Sequence, residues 1–262
     1  MSASAKDSKD LHFILLRGST TVLKVMQQIG SQYMDDYPNI RLPLLGGGSA
    51  VGYKSVLDST SNIGMASGQI PPNIELWAHK HKIPLEEFPI ASDGLVAIVN
   101  RANPISDLTL DQLRGIFTGS ISNWNMVGKF SGPINIISHD PQLGTYEPWK
   151  RQVAGKDHIS LKAKVTNNLV DLTNSITSDP HAIGYVGTTF LNAEKVKPLS
   201  IGGVLPTYAN IKKQTYPIRN NLLLLTRGSP SKEISHFIRY CLDPNKGQAM
   251  IKKMGLVPVE GE

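Results

Sequence analysis

Short apolar runs alternate with amphipathic segments along almost the whole chain. The first unit is an apolar run at 12–16, followed by a turn at 18–21 and by apolar residues at helical spacing over 22–29. Further apolar runs of strand length lie at 40–45, 63–66, 93–100, 134–137, 182–187 and 222–225. Helical spacing recurs at 50–57, 109–117, around Trp149 and at 232–242. This alternation is typical of an α/β architecture with largely parallel sheets.

The composition permits one large domain or two lobes. The chain has 262 residues, of which 40% are hydrophobic, so a sizeable core is expected. The single cysteine, Cys241, excludes an internal disulfide framework, and its place on an apolar helix face predicts a core residue. No run approaches the roughly 18 apolar residues of a membrane span. The polar first ten residues fit either a cytoplasmic protein or a mature chain without its export signal.

The positive charge is spread along the chain. Lys and Arg number 27 against 21 Asp and Glu, a formal net charge of +6. Basic pairs such as Lys150–Arg151 and Lys212–Lys213 are scattered rather than concentrated, and only 6% of residues are aromatic. We therefore expect solvated surface charge that steers anions, and no nucleic-acid partner.

Three predicted strand ends carry small or hydroxyl residues just before a helix, at 18–21, 46–50 and 144–145. In an open α/β sheet, ligands bind outside the carboxyl ends of strands, against helix N-termini. Unpaired N–H groups there favour negative charge, and serine or threonine hydroxyls add donors. One such turn is an ordinary helix cap. Three of them favour convergence on a small anion.

Motifs for other chemistry are incomplete. No Gly-Lys-Ser/Thr follows a strand, and Val51 stands where a dinucleotide loop or a nucleophile elbow beginning in the 46–47 glycines needs glycine. His79 and His81 lie beside Lys80 and Lys82, which predicts a solvated surface rather than a metal site. Without paired carboxylates or an activated nucleophile, we expect no enzyme, no cofactor and no metal.

Taken in order, ten segments between residues 12 and 258 resemble the PstS-like phosphate-binding proteins of bacterial ABC importers. They are GSTTV at 18–22, GGGSAVG at 46–52, NIGMAS at 62–67, DGLV at 93–96, LT and QL within 108–113, IFTG at 116–119, ISNW at 121–124, IGYVG at 183–187, YPI at 216–218 and GLVP at 255–258. The resemblance implies a two-lobed periplasmic-binding-protein fold of type II kind that closes at a hinge. It further implies one lobe from residues 1–90 and 218–262, and another from 91–217.

The resemblance also implies where the ligand binds. The ligand residues that it suggests are Ser19, Thr20, Thr21, Gly48, Ser49, Ala50, Ser67, His139, Leu143, Gly144 and Thr145. Three positions depart from the family pattern. His139 stands where an arginine is usual, Leu143 replaces the serine of Ser-Gly-Thr, and Gly68 takes the place of an acidic residue or an arginine.

These departures lower the expected affinity for a doubly charged oxyanion. An arginine fork supplies a permanent charge and two aligned donors, whereas histidine is charged only below about pH 6.5. Losing these groups predicts a drop in affinity of roughly a thousandfold or more. Alternatively, the motif has shifted in register and Arg17 or Arg219 supplies the charge.

The expected function is an extracytoplasmic solute-binding protein that delivers a small ligand, with a phosphate-like oxyanion favoured, to an ABC permease. It is expected to be a monomer in the periplasm or at the cell surface. Two alternatives stay open: the same fold binding a less charged or partly apolar solute against Leu143, and a binding module used for sensing.

Overall fold

The computed structural model describes residues 11–141 and 143–259. Strands β1 to β14 are, in order, His12–Phe13, Leu16–Gly18, Ile40–Arg41, Leu44–Leu45, Ile63–Ser67, Leu85–Val99, Asp107–Leu108, Asn135–His139, Lys164–Thr166, Ala182–Gly187, Lys197–Pro198, Ser200–Ile201, Arg219–Arg227 and Val257–Pro258. Helices α1 to α9 are Thr20–Asp36, Ser49–Leu57, Pro72–Lys80, Leu110–Thr118, Tyr146–Trp149, Leu169–Ser178, Tyr208–Lys212, Lys232–Leu242 and Gly247–Lys253. A π-helical turn, Lys150–Ala154, continues α5.

One sheet runs through the whole molecule in the order β4-β2-β5-β13-β6-β10-β8-β9, with β11 and β14 also paired to β6. The strands β4, β2 and β5 are parallel, as are β10, β8 and β9. The centre is antiparallel, however, because β6 pairs with β13 over Leu85–Gly94 and with β10 over Leu95–Val99. The expectation of a largely parallel sheet was therefore wrong at the centre.

Strand β6 explains that difference. It spans 15 residues, whereas the apolar pattern predicted a strand beginning at 93. Residues 85–89 are partly buried or exposed and include Glu86 and Glu87, so this part of the strand shows no continuous apolar run. The strand passes from one half of the molecule to the other and is shared by both.

Two large cores lie on either side of this shared strand. The first surrounds α1 and α8 and contains Met26, Ile63, Leu222 and Phe237, among others. The second surrounds α4 and β10, where the rings of Trp149 and Tyr185 stack at 4.2 Å. We call the parts built on these cores the first and second lobes. The boundaries at 90/91 and 217/218 stay a prediction.

Several helices form where the pattern predicted them. Helix α8 has the predicted bounds, and Cys241 on its inner face is fully buried. Helix α4 begins one residue later than predicted, because Thr109 caps it in a reciprocal pair of hydrogen bonds with Gln112. No helix in the described ranges combines the length and apolar character needed to cross a lipid bilayer.

Helix α2 is held directly on the sheet by glycine. A Cβ on Gly52 would overlap the carbonyl oxygen of Met65, and one on Gly18 would lie 2.8 Å from the Gly52 Cα. The backbones of α2, β2 and β5 therefore touch without side chains between them. This contact sets the position of the N-terminus of α2 beside the end of β5.

Gly52→Ala should lower the free energy of unfolding by about 1–3 kcal/mol, because the added methyl meets a fixed carbonyl oxygen. Gly30→Ala in α1 is the matched control, since its Cβ would meet the flexible end of Leu42 at 3.2 Å. The control should change stability by no more than about 1 kcal/mol. Urea denaturation measures both, and a Gly52→Ala variant as stable as the parent contradicts the contact.

Candidate functional site

The carboxyl ends of β2 and β5 meet at one edge of the first lobe. Ser19 follows β2 and caps α1, its Oγ accepting from the Val22 N–H at 3.4 Å. The Ser19 N–H donates to the Met65 carbonyl at 2.8 Å, which fixes the turn to the neighbouring strand. The end of β2 is thus joined to β5 before α1 begins.

Hydroxyl groups from three segments meet at this edge. Ser19 Oγ and Ser67 Oγ lie 2.6 Å apart and share a hydrogen bond. Ser49, the first residue of α2, accepts the Ser67 N–H at 3.0 Å. Ser19, Thr21 and Ser67 are all buried. We call Ser19, Thr21 and Ser67 the hydroxyl cluster.

The second lobe contacts the hydroxyl cluster through Gly144. A Cβ placed on Gly144 would lie 2.9 Å from Ser19 Oγ, 3.1 Å from Thr21 Oγ1 and 3.5 Å from Ser67 Oγ. A side chain at 144 would therefore enter the space between these hydroxyls, and glycine leaves that space open.

The segment that carries Gly144 is a tight loop between β8 and α5. The Leu143 N–H donates to the Asp140 carbonyl at 2.9 Å, and the Tyr146 N–H donates to the Leu143 carbonyl at 3.0 Å. Leu143 is half-buried, whereas Thr145 is buried. The loop thus brings the small residue Gly144 and the hydroxyl-bearing Thr145 into the contact between the lobes.

Beside this contact, an arginine of the second lobe occupies the space over Gly68. Arg151 Nη2 lies 2.6 Å from the position that a Cβ on Gly68 would occupy, and Asn220 Oδ1 lies 3.4 Å from it. Gly68 also has a φ of 84°, a conformation that favours glycine. The missing side chain at 68 therefore makes room for the guanidinium.

Buried polar groups from the shared strands lie behind Gly68. Asn220 on β13 is opposite Asp93 on β6, and each is only 1% exposed. Among the described residues, neither amide atom of Asn220 has a hydrogen-bond partner. Asp93 Oδ1 accepts from the N–H and the hydroxyl of Thr188. Burial raises the Asp93 pKa to about 6.

Two further contacts join the lobes at their flanks. Gln152 forms two hydrogen bonds with the backbone of Arg219. Its Nε2 donates to the Arg219 carbonyl at 2.7 Å, and its Oε1 accepts from the Arg219 N–H at 2.9 Å. On the other flank, Lys24 Nζ lies 3.7 Å from the ring centre of Phe190. The hydroxyl cluster therefore belongs to a closed cleft with contacts on both sides.

Comparison with known proteins places this geometry in a family. A sequence model of the PBP superfamily domain matches residues 2–245, most of the chain. The chain belongs to the PBP superfamily. The phosphate-binding protein PstS of Bacillus subtilis strain 168 is 25% identical over 264 residues, covering 98% of this chain and 85% of that protein. PstS of Staphylococcus epidermidis is 26% identical over 246 residues, covering 88% and 74%.

Solved structures agree with the fold. A Clostridium perfringens protein, described as a phosphate ABC transporter substrate-binding protein with bound phosphate, superposes with a TM-score of 0.83. It is 26% identical, and the match covers 95% of this chain and all of that one. The predicted α/β fold with two lobes, typical of the PBP superfamily, is thereby confirmed.

The predicted site residues of this PBP-superfamily chain fall into two groups. Ser19, Thr21, Ser67 and Gly144 meet directly, with Ser49 bonded behind them. The others form no hydrogen bond with the hydroxyls of the cluster among the described residues: Thr20, Gly48, Ala50, His139, Leu143 and Thr145. Thr20 is the first residue of α1, Gly48 donates to the Gly18 carbonyl at 3.1 Å, and Ala50 is exposed. Whether each binds ligand stays a prediction.

His139 occupies the position where the family pattern has an arginine. Its ring is 1% exposed, and its Nε2 lies 3.0 Å from the carbonyl of Tyr185, which assigns the proton to Nε2. Desolvation by burial lowers the His139 pKa to about 4. The ring is therefore neutral at pH 7 and supplies no positive charge in place of the family arginine.

The guanidinium over Gly68 is that of Arg151. Of the two predicted alternatives, Arg17 is exposed on β2, and Arg219 is half-buried at the start of β13. The sequence predicts solvated surface charge at Lys150 and Arg151, and Arg151 is indeed exposed, although its Nη2 lies over Gly68. The one signal in the sequence was the glycine at 68, which leaves space for a side chain from elsewhere.

The two buried titratable groups should affect stability in opposite directions as pH falls. The folded pKa of His139, about 4, lies below its ordinary value of 6.5, so the unfolded chain takes up a proton first and acid destabilises the fold. The folded pKa of Asp93, about 6, lies above 3.8, so acid stabilises the fold through this group.

Urea denaturation at pH 7 and pH 4.5 should separate these effects. Relative to the parent, His139→Gln should lose about 2–3 kcal/mol less stability on acidification, because the opposing protonation of the unfolded chain is gone. Asp93→Asn should lose about 2–3 kcal/mol more. Identical pH slopes for all three proteins would contradict the assigned burial of both groups.

Proposed function

We propose that this chain is an extracytoplasmic solute-binding protein that holds a phosphate-like oxyanion between its lobes and delivers it to an ABC permease. The relatives named above are phosphate-binding proteins, and their likeness covers nearly the whole chain. That likeness supports the ligand class and the transport role. The protein works as a monomer outside the cytoplasm in this proposal.

The observation that carries the proposal is the meeting of the hydroxyl cluster with Gly144. Serine and threonine hydroxyls donate hydrogen bonds to oxyanions, and the first turn of α1 adds main-chain N–H groups and a favourable dipole. These groups come from the first lobe, whereas Gly144 and Thr145 come from the second. An oxyanion bound here makes contacts with both lobes only in the closed form.

Closure follows from that division of contacts. A ligand that bonds to both lobes stabilises the closed form by its extra contacts there, and so shifts the population toward it. We propose that residues 1–90 with 218–262 move as one body and residues 91–217 as the other. The shared strands β6 and β13 would act as the hinge.

Charge in this site comes from Arg151 rather than from residue 139. The guanidinium over Gly68 lies at the end of β5, directly after Ser67 of the hydroxyl cluster. Arginine remains charged at all physiological pH values. His139 should therefore contribute nothing to the pH dependence of affinity between pH 7 and pH 6, measured by calorimetric titration with an anion that does not itself titrate there, such as sulfate.

A less charged solute is the second candidate. The observation that favours it is the neutral, buried ring of His139, together with the half-buried Leu143 at the positions where the family has arginine and serine. A site with these residues makes fewer charged contacts with a ligand than a site that carries the arginine and serine of the family. Micromolar rather than nanomolar affinity for orthophosphate is therefore expected.

Calorimetric titration with orthophosphate at pH 7 and moderate salt tests the proposal. Ser67→Ala and Thr145→Val should each weaken binding by roughly tenfold or more, because each removes a donor to a charged ligand. Ser178→Ala and Thr173→Val are matched controls in α6, where the hydroxyls bond only to backbone carbonyls of their own helix. The controls should bind as the parent does.

Two results would count against the proposal. Orthophosphate binding that is unchanged in both Ser67→Ala and Thr145→Val would place the anion elsewhere. No heat of binding from orthophosphate, with a neutral solute bound instead, would favour the second candidate.

A further inference from the structure

The arginine that lies over Gly68 belongs to an unusual stretch of backbone. Arg151 is the second residue of the π-helical turn Lys150–Ala154, which continues α5. π-helical turns are rare and occur frequently at functional sites. The Arg151 side chain is exposed, and among the described residues no carboxylate lies within ion-pair distance of it. The place of its guanidinium therefore depends on how the turn itself is held.

A side-chain amide holds this turn against β13. The half-buried Gln152 bonds both the carbonyl and the N–H of Arg219, and its Nε2 also donates to the Pro148 carbonyl at 3.1 Å. Only one orientation of the amide satisfies both backbone groups of Arg219, because the carbonyl needs a donor and the N–H needs an acceptor. The paired bonds therefore fix the turn at one place along the strand.

The same edge of β13 also holds Gly68. The Gly68 N–H donates to the Asn221 carbonyl at 2.7 Å, directly after the last residue of β5. Backbone groups two residues apart on a strand point to the same edge and lie about 7 Å from each other. The Gln152 amide therefore occupies the next position along that edge, at Arg219, beyond the end of β5.

Both ends of the contact between Arg151 and Gly68 are thus fixed on one strand. Gly68 is held at Asn221, and the turn that carries Arg151 is held at Arg219. Strand β13 therefore sets the distance over which the arginine side chain extends. A shift of the turn along the strand would move the guanidinium away from Gly68.

The charge of Arg151 reaches the first lobe. Burial raises the pKa of Tyr53 in α2 to about 12, and the positive charge of Arg151 opposes that rise. The Tyr53 hydroxyl donates to the Gln69 carbonyl at 3.4 Å, one residue after Gly68. The guanidinium therefore lies against the first lobe, although its backbone belongs to the second.

The inner side of the π-helical turn is held separately, by the core of the second lobe. Val153 and Ala154 are buried, and Arg114 Nε of α4 donates to the Val153 carbonyl at 3.1 Å. These contacts do not involve Gln152. Loss of the Gln152 amide should therefore release the turn from β13 without unfolding it.

We propose that Gln152 is a positioning residue for oxyanion binding. It holds the π-helical turn on β13, so that Arg151 crosses to Gly68 with its guanidinium already beside the hydroxyl cluster. A side chain that is held in place before binding loses less conformational entropy when the anion arrives. The affinity gained from Arg151 therefore depends on Gln152, without any contact between Gln152 and the anion. This inference rests on the proposed function.

A double-mutant cycle tests the coupling between the two residues, with orthophosphate affinity measured by calorimetric titration. Arg151→Gln should weaken binding roughly tenfold, because a charge-assisted contact is lost. Gln152→Met, which keeps the side-chain length but none of its hydrogen bonds, should weaken binding about fivefold while Arg151 is present. Added to Arg151→Gln, it should change the affinity by less than about twofold.

Gln248→Met is the matched control. Gln248 in α9 also donates twice through Nε2 and accepts once through Oε1, in each case with a backbone group. Among the described residues it forms no hydrogen bond with the hydroxyl cluster or with the π-helical turn. Both substitutions should lower the free energy of unfolding in urea, but only Gln152→Met should lower the affinity.

The outcomes separate this inference from the proposed function. An equal loss of affinity from Gln152→Met with and without Arg151 would show a merely structural role and overturn the inference. Unchanged binding in either single variant, Gln152→Met or Arg151→Gln, would also overturn it. All of these results leave the proposed function standing, because the parent still binds orthophosphate. No binding by the parent overturns both. Should Gln152→Met fail to fold, Gln152→Asn, whose side chain is too short to reach Arg219, completes the same cycle.

Discussion

The cleft depends on the close approach of one main-chain segment to three buried hydroxyl oxygens. A Cβ on Gly144 would lie 2.9 to 3.5 Å from the hydroxyl oxygens of Ser19, Thr21 and Ser67. In the first lobe, α2 packs directly on β2 and β5 through Gly18 and Gly52. This packing places Ser49 where its Oγ accepts the Ser67 N–H. Burying polar groups costs free energy unless they are hydrogen-bonded. A ligand that offers acceptors to both lobes therefore stabilises the closed form.

Charge is arranged differently from what the family pattern implies. The position expected to carry a guanidinium holds the neutral His139, which donates to the Tyr185 carbonyl inside the second lobe. A guanidinium nevertheless reaches the end of β5, because Gly68 leaves space for Arg151. The Arg151 side chain thus fills the space that a side chain at residue 68 would occupy.

The sequence predicted features that depend on interactions between residues close together in the chain. Apolar spacing predicted the bounds of α8, and small residues at strand ends predicted the convergence of Ser19, Thr21 and Gly144, to which the family resemblance added Ser67. It was misleading at β6, whose first residues are half-exposed and show no apolar run, so the antiparallel centre of the sheet went unpredicted. The place of Arg151 over Gly68 and the burial of Asn220 against Asp93 join residues far apart in the chain. No spacing within a single segment encodes such contacts.

A crystal structure of the protein grown with orthophosphate tests the central claim most directly. The account predicts a single anion between the lobes, with Ser19, Ser67 and the Gly144–Thr145 backbone within hydrogen-bonding distance and the Arg151 guanidinium beside it. An anion bound at another surface, with Gly144 still packed against the unliganded hydroxyl cluster, would contradict it.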